Sequence, residues 1–464
     1  MKIILFIRRI TVLLVLVSIS LFFSCKKFVE IKPPINSYTS SATFSNDQTA
    51  TSAVIGLYQQ MINTPLLFTH GGLSIFTALS SDEIKNTYSD LSYDAFANNS
   101  ITANESNIQT YFWTAAYKII YQANAIIEGV NASNQISAGV KEQLLGEAKF
   151  SRALCYFYLT NIFGDVPLQL TTDYRINATM SRTSSLKIYE QVSVDLLDAV
   201  DLLKPTYPTA GRVRPNKWTA TAMLARVYLY QKKWAEAETA STAVINSGDY
   251  TLESELNNVF LSNSNEAIWQ LQPLNEYFFS AEGSVFVPYN DMERPAFTLT
   301  NDLLSSFEVN DQRFVKWIGK NVIAGTDYYY PYKYKVKYPS GGPITEYTMV
   351  LRLAEQYLIR SEARAQQDNF ASGLTDLNAI RSRAGLPGSA AIDKVSLLTA
   401  IGQERRVELF TEWGHRWLDL KVTSRVEAVL SSLKSPNWQP ADTLYPIPFA
   451  ELQLNPSLRQ NPGY

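Results

Sequence analysis

Histidine and cysteine are nearly missing from these 464 residues, with two of each. His70 and His415 are the whole supply of imidazole, and no HExxH zinc motif can be written around them. Long apolar runs are missing too. After Phe23 nothing approaches the ~20 residues that a membrane-spanning helix needs. Basic surplus is absent: 41 Lys and Arg face 43 Asp and Glu. Nucleic-acid binding depends on basic patches that neutralise phosphates, so it is set aside. There is no GxSxG nucleophile elbow and no phosphate-cradling Gly-rich loop. The 43 acidic residues contain no short motif that singles out the carboxylate pair of a glycosidase.

What is present begins at the amino terminus. Lys2, Arg8 and Arg9 precede "ITVLLVLVSISLFF", residues 10–23, which is uncharged and too short to span a bilayer as a helix. A basic start, a short apolar middle and a small residue, Ser24, form the layout of a secretory signal. The cysteine that follows points to a lipoprotein cut, after which the acylated Cys25 would be the new N-terminus and a membrane anchor. Removing the three basic residues of that signal leaves 38 against 43 acidic, a net charge of about −5. With Cys25 acylated, Cys155 has no disulfide partner. Its setting in "SRALCYFYLTNIFGDVPL" predicts a buried, inert thiol.

The expected organisation is a signal peptide over 1–24, a Pro- and Ser-rich tether over 25–41 and one helical body over 42–464. Within that body the N-terminal part runs to about 250, a loop-rich insertion fills about 250–345, and a helical part with a proline-punctuated tail covers about 346–464. "NDQTATSAVIGLYQQMI" has Asn46 or Asp47 as N-cap and places Ala50, Val54, Leu57, Tyr58 and Met61 on one stripe. Residues 108–130 and 141–163 are long amphipathic runs that predict a helical hairpin.

"TATAMLARVYLYQKKWAEAETASTAVI" and "AEQYLIRSEARAQQDNFASGLTDLNAI" look like one helix-turn-helix unit used twice. Trp234 and Phe370 open the second helix of each, followed by small residues at matching offsets (Ala237 and Gly373, Ala243 and Ala379). That is how tetratricopeptide-type pairs stack, although no strict 34-residue repeat is present. Gly385 is placed to cap the second unit. The fold class expected is therefore mainly α, a tetratricopeptide-like helical-pair scaffold with long irregular insertions and few short strands.

Candidate chemistry is sparse. "EWGH" puts Glu412 and His415 three apart, the spacing of a di-iron ligand pair, but no second copy exists. The segment reads instead as a structural helix, with Val407, Phe410, Trp413, Trp417 and Leu420 on its core stripe and Glu412 paired to Arg416. Trp113, Trp234 and Trp269 are likewise assigned to the core. The two loop-like stretches are better supplied for saccharides, whose sites pair aromatic platforms with polar hydrogen-bonders. Residues 64–100 offer Tyr88, Tyr93 and Phe96 beside Asp82, Lys85, Asn98 and Asn99. Residues 275–335 offer Tyr277, Phe286, Tyr289, Trp317, Tyr328 and Tyr330.

"RLAEQYLIRSEARAQ", "LNAIRSRAGLP", "ERRVELFTEWGHRWLDLK" and the terminal "LYPIPFAELQLNPSLRQNPGY" together resemble the SusD/RagB family of Bacteroidetes outer-membrane lipoproteins. "AKFSRALCYFYLTNIFGDVPL" resembles that family's N-terminal helical motif. The resemblance covers essentially the whole mature chain. It implies four tetratricopeptide-like units, no enzymatic activity and no redox cofactor. It also implies a surface glycan site in the early loop and in the irregular region before "RLAEQYLIRSEARAQ", and a SusC-like TonB-dependent transporter as partner. The rival readings are a peptide-binding uptake protein of the same family and a surface glycoside hydrolase.

Overall fold

The computed structural model describes residues 1, 3, 4, 6, 40–274, 279–338 and 341–464. Cys25, most of the signal segment and residues 25–39 of the tether therefore lie outside the described residues, as does Tyr277. The chain divides into Met1–Thr43 and Phe44–Tyr464. In the first unit a single helical turn covers Ser40–Thr43. The second unit carries the helical scaffold.

Helix α1 (Asp47–Ile62) starts at Asn46, whose side-chain oxygen accepts from the Thr49 N–H at 2.9 Å. The stripe of Ala50, Val54, Leu57, Tyr58 and Met61 is buried along it. The long runs become α2 (Ala115–Ala132), entered through a π-helical stretch at Ile108–Thr114, and α3 (Ala138–Phe163), which packs against it. Nearly every side chain of the second half of α3 is buried, and there burial alone pushes the Cys155 thiol far above its ordinary value. Helix α4 (Ser185–Leu202) lies on α3 and is tied to it by the buried Arg152–Asp195 ion pair at 2.7 Å.

The duplicated unit forms two helix pairs, α5 (Lys217–Tyr230) with α6 (Trp234–Ile245), and α7 (Leu353–Gln366) with α8 (Phe370–Arg383). The small residues do what their offsets imply. A Cβ on Gly373 would stand 3.0 Å from the Ser361 carbonyl, and the Ser361 hydroxyl donates to the Gly373 carbonyl at 2.7 Å. The pairs stack through α6 on α7, and Arg226 of α5 meets Glu355 of α7 at 2.6 Å. Gly385, at φ +76°, ends α8: its N–H bonds the Ser382 carbonyl and that of Leu386 bonds Arg381. This is the two-bond cap that a left-handed glycine makes possible. Trp234 is only half-buried, unlike the other tryptophans assigned to the core.

Two expectations are corrected. Residues 64–100 are not one loop. They hold a π-helical segment at Phe68–Thr77 kinked at His70 and Gly71, then Ala78–Ser80, strand β1 (Ile84–Asn86) and a capped helix at Leu91–Ala97. Everything from Leu67 to Ile84 is buried, so tertiary packing orders a stretch that has no strong local period. The "ERRVELFTEWGHRWLDLK" run is also not one helix. It forms α9 (Lys394–Glu408) and α10 (His415–Val422) around a break where Thr411, Trp413 and Gly414 all have positive φ. The break removes the i,i+4 geometry, so Glu412 and Arg416 do not pair. Glu412 binds Arg352 and Lys333, and Arg416 binds Asp82.

Among the described residues there are three two-stranded antiparallel ribbons: β1 with β3 (Phe297–Leu299), β2 (Ala267–Leu271) with β6 (Thr348–Arg352), and β4 (Ile318–Ile323) with β5 (Thr326–Pro331). The chain is mainly α, with helical pairs as its scaffold and few short strands. No described helix is long and apolar enough to cross a membrane.

Candidate functional site

Ribbon β1/β3 brings the two flanking stretches together, pairing Ile84 with Leu299 and Asn86 with Phe297. Alternation buries Ile84 and turns Lys85 outward. Past the strand, the Thr87 N–H donates to the Ala296 carbonyl at 2.9 Å. The next residue, Tyr88, is exposed but held: its hydroxyl donates to the Arg294 carbonyl at 2.9 Å, and the Arg294 guanidinium lies 4.3 Å from its ring centre. The result is an aromatic platform whose orientation is fixed by a cation–π contact.

The loop that supplies Arg294 is itself anchored. Buried Asn321 on β4 donates to the carbonyls of Asn290 and Glu293 at 2.8 and 2.7 Å. This presents Tyr289 and Met292 to solvent at 72% and 80% exposure. Half-exposed Tyr338 stands with its ring centre 6.1 Å from that of Tyr289.

Beside β1 a cavity of about 420 Å³ is lined by polar side chains, among them Lys85, Asn86, Asn98, Asp302 and Asn437. Its floor is electrostatically locked. Burial would raise the Asp82 carboxyl, but bidentate hydrogen bonds from Arg416, and the charges of Arg416 and Arg406, hold it below its ordinary value. Lys434 donates to the carbonyls of Leu79 and Ala97, and burial draws its amine down to about 8. Next to Asp82, Glu83 is pushed up to about 8 by burial and then by the Asp82 charge. Burial likewise draws His70 down to about 4, so it is neutral near pH 7. Among the described residues no cluster of three His, Cys, Asp or Glu is arranged to hold a metal.

The sequence-named residues divide sharply. Tyr88 and Tyr289 are exposed, Tyr88 resting on Arg294 at the end of the loop that carries Tyr289, and Lys85 and Asn98 are exposed at the cavity. Asp82 lines the cavity but is spent on two arginines. Tyr93 is half-buried between Phe76 and Phe297, with ring centres at 5.7 and 5.0 Å. Phe96, Phe286 and Trp317 are corrected to core residues. Phe96 packs on Phe76 at 4.6 Å, Phe286 on Phe297 at 6.1 Å, and the Trp317 indole donates to the Leu256 carbonyl. Tyr330 is also buried, its ring lying across Gly319, while its neighbour Tyr328 is half-buried on β5. Asn99, named beside them, is buried at 3% exposure. Sequence reasoning misses Tyr338, Met292 and Arg294. Tyr338 ends the tyrosine-dense run that opens at Tyr328, a compositional signal that does not say which ring faces out.

Residues 27–229 match a family model described as starch-binding associating with outer membrane, and residues 318–421 match the model of the SusD family. The chain belongs to the SusD/RagB family. Among SusD-like relatives, protein P25 of Formosa agariphila is 26% identical across 95% of this chain and 97% of its own length. One from Bacteroides ovatus is 26% identical across 86% and 80%. Solved structures share the fold. A SusD superfamily protein from Bacteroides vulgatus superposes with a TM-score of 0.81 at 21% identity, covering 91% of this chain and all of its own. A laminarin-binding SusD-like protein superposes at 0.72 and 23%, covering 90% of this chain and all of its own.

The motifs that carry the SusD/RagB likeness build the core. Arg352, before "LAEQYLIRSEARAQ", binds Glu408 and Glu412. Glu355 binds Arg226, Arg360 binds Asp376, and Arg313 joins Asp311, Glu404 and Glu408. All of these side chains are at least nine-tenths buried. The shared sequence therefore holds a scaffold, while the exposed aromatics sit on the segments between.

Proposed function

We propose that this protein is a cell-surface glycan-binding lipoprotein that captures oligosaccharide at the face bearing Tyr88, Tyr289 and Tyr338. The observation that carries the reading is that face itself: oriented, solvent-exposed rings, with a polar cavity lined by Lys85 and Asn98 beside the strand that Tyr88 follows. Sugar rings offer apolar C–H surfaces and hydroxyl edges, which need such platforms together with amide, amine and carboxylate hydrogen-bonders. The family description as starch-binding, and the laminarin-binding relative of the same fold, support the ligand class.

In this reading residues 1–24 are a removed signal, Cys25 is acylated and anchors the body to the outer membrane, and residues 25–41 tether it facing the exterior. The captured glycan passes to a SusC-like TonB-dependent transporter, over which the protein acts as a lid. It binds without turnover and uses no cofactor. The carboxylate on the cavity floor supports this, since Asp82 is committed to two arginines.

Affinity electrophoresis of the chain without residues 1–25 in gels containing a polysaccharide panel tests the proposal. Retardation by at least one glycan, reduced by Tyr88→Ala and Tyr289→Ala, is the expected result. Retardation by none of them, with binding of a peptide mixture instead, would move the ligand to the peptide class.

A further inference from the structure

A second cleft, of about 880 Å³, lies between α2, residues 167–178 and the helical turn Phe449–Leu454, and shares no lining residue with the first cavity. Its base is aromatic. Trp113 and Tyr117 have ring centres 5.1 Å apart, and the Tyr117 hydroxyl donates to the Pro167 carbonyl at 2.9 Å. Two more tyrosines line it and project far into solvent, Tyr121 at 54% exposure and Tyr174 at 76%. An exposed ring on a soluble body is ordinary when single, but two bordering one cleft with a tryptophan beneath are not.

The polar complement is mostly neutral, amides together with the hydroxyls of Thr114 and Thr172. Gln60, Gln122, Gln169, Asn177 and Asn455 line the cleft, against one cation, Lys118, and one anion, Glu451. Burial raises the Glu451 carboxyl, which has the Trp113 indole as a hydrogen-bond partner. Asn177 donates to the Thr171 carbonyl at 2.7 Å, which leaves its own Oδ1 without a partner. The wall is rigid as well. The Gln169 carbonyl accepts from the Tyr156 hydroxyl at 2.9 Å and from the Asn124 amide at 3.0 Å, and the Thr172 N–H donates to Glu128 at 2.9 Å. A cleft already ordered in this way loses little conformational entropy when it is filled.

We propose that this cleft is a second carbohydrate site, which takes a neutral oligosaccharide segment. A purely apolar occupant would cover the cleft's amide and hydroxyl groups without bonding them, and an anionic one would meet a single exposed cation, Lys118, in a cleft that also carries Glu451. Hydroxyls both donate and accept, as amides do, and sugar C–H faces match the tyrosine rings. The ligand class rests on the carbohydrate reading above, whereas the residues are different. A polysaccharide that reaches both sites gains from effective concentration and is held more tightly than a short oligosaccharide.

Hydroxyl-radical footprinting of the chain without residues 1–25 separates the two sites, using starch, laminarin, mannan and xyloglucan as probes. The expected result is protection of Tyr121 and Tyr174 by at least one probe, persisting in a Tyr88→Ala/Tyr289→Ala variant. In Tyr121→Ala/Tyr174→Ala, polysaccharide retardation should weaken about tenfold, with an unchanged melting temperature because both rings are exposed. Protection of Tyr88 and Tyr289 alone overturns the second site and leaves the first. Protection of Tyr121 and Tyr174 alone does the reverse, and protection of neither overturns both. Protection of Tyr121 and Tyr174 by polygalacturonate or by a peptide mixture, but by no neutral probe, overturns the ligand class.

Discussion

Arg352 grips Glu412 with two parallel hydrogen bonds, Nε to Oε2 at 2.8 Å and Nη2 to Oε1 at 2.9 Å, across sixty residues of sequence. Both side chains are buried, and Lys333 completes the cluster by binding Glu412 and the carbonyls of Glu408 and Phe410. Removing one partner of such a pair strands a buried charge, which costs about 3–5 kcal/mol. Glu412→Gln should therefore lower unfolding free energy by roughly that amount in urea titrations. The apolar double replacement Arg352→Met/Glu412→Leu should not recover the loss, because it leaves the buried Lys333 ammonium without its carboxylate partner.

The two classes of aromatic should separate cleanly. Tyr88→Ala and Tyr289→Ala should each weaken glycan retardation about tenfold, which corresponds to ~1.4 kcal/mol, with little change in melting temperature. Phe96→Ala should do the opposite. Its ring packs on Phe76 and Tyr445, so a cavity costing about 3–5 kcal/mol should appear as lost stability.

Glu83 makes stability depend on pH. Its folded carboxyl titrates near 8, raised by burial and then by Asp82, against an ordinary value of 4.5. The folded state therefore holds a proton that the unfolded state has released anywhere between these values. Its contribution to stability is present below about pH 4.5 and is lost as pH rises toward 8. Glu83→Gln should flatten the stability profile over that window, relative to the unaltered protein, by up to about 1.4 kcal/mol per pH unit. Equal slopes in the two proteins would contradict this.

Gly319 lets the Tyr330 ring lie against the β4 backbone, since a Cβ there would stand 2.2 Å from the ring. Gly319→Ala should displace Tyr330 and cost about 1–3 kcal/mol, readable as a lower melting temperature and as altered near-ultraviolet dichroism.

Cys25→Ala should release the protein from the membrane fraction and abolish labelling with a fatty-acid probe, if acylation of that thiol is what anchors it. Unchanged membrane association would point to an uncut apolar segment instead.

Much of the scaffold was legible in the sequence alone. Helical period, the Asn46 cap, the Gly385 stop and the small residues behind Trp234 and Phe370 are local devices, and each acts within a few residues of itself. The scarcity of histidine and the mild negative charge likewise bounded the chemistry without reference to shape. Exposure could not be read in the same way. Phe96, Phe286 and Trp317 share the aromatic, polar-flanked context of Tyr88 and Tyr289, yet the first three are core and the last two face solvent. The break inside "ELFTEWGH" was equally hidden, because Glu412 and Arg416 have good helical spacing but find stronger partners at Arg352 and Asp82. Those partners lie far off in sequence, as Arg294 lies 206 residues from the Tyr88 it holds. Local sequence thus determined which segments are helical and which residue types could serve a sugar. Only the tertiary structure decided which rings face solvent, because burial is set by long-range packing and charge pairing that no local pattern records.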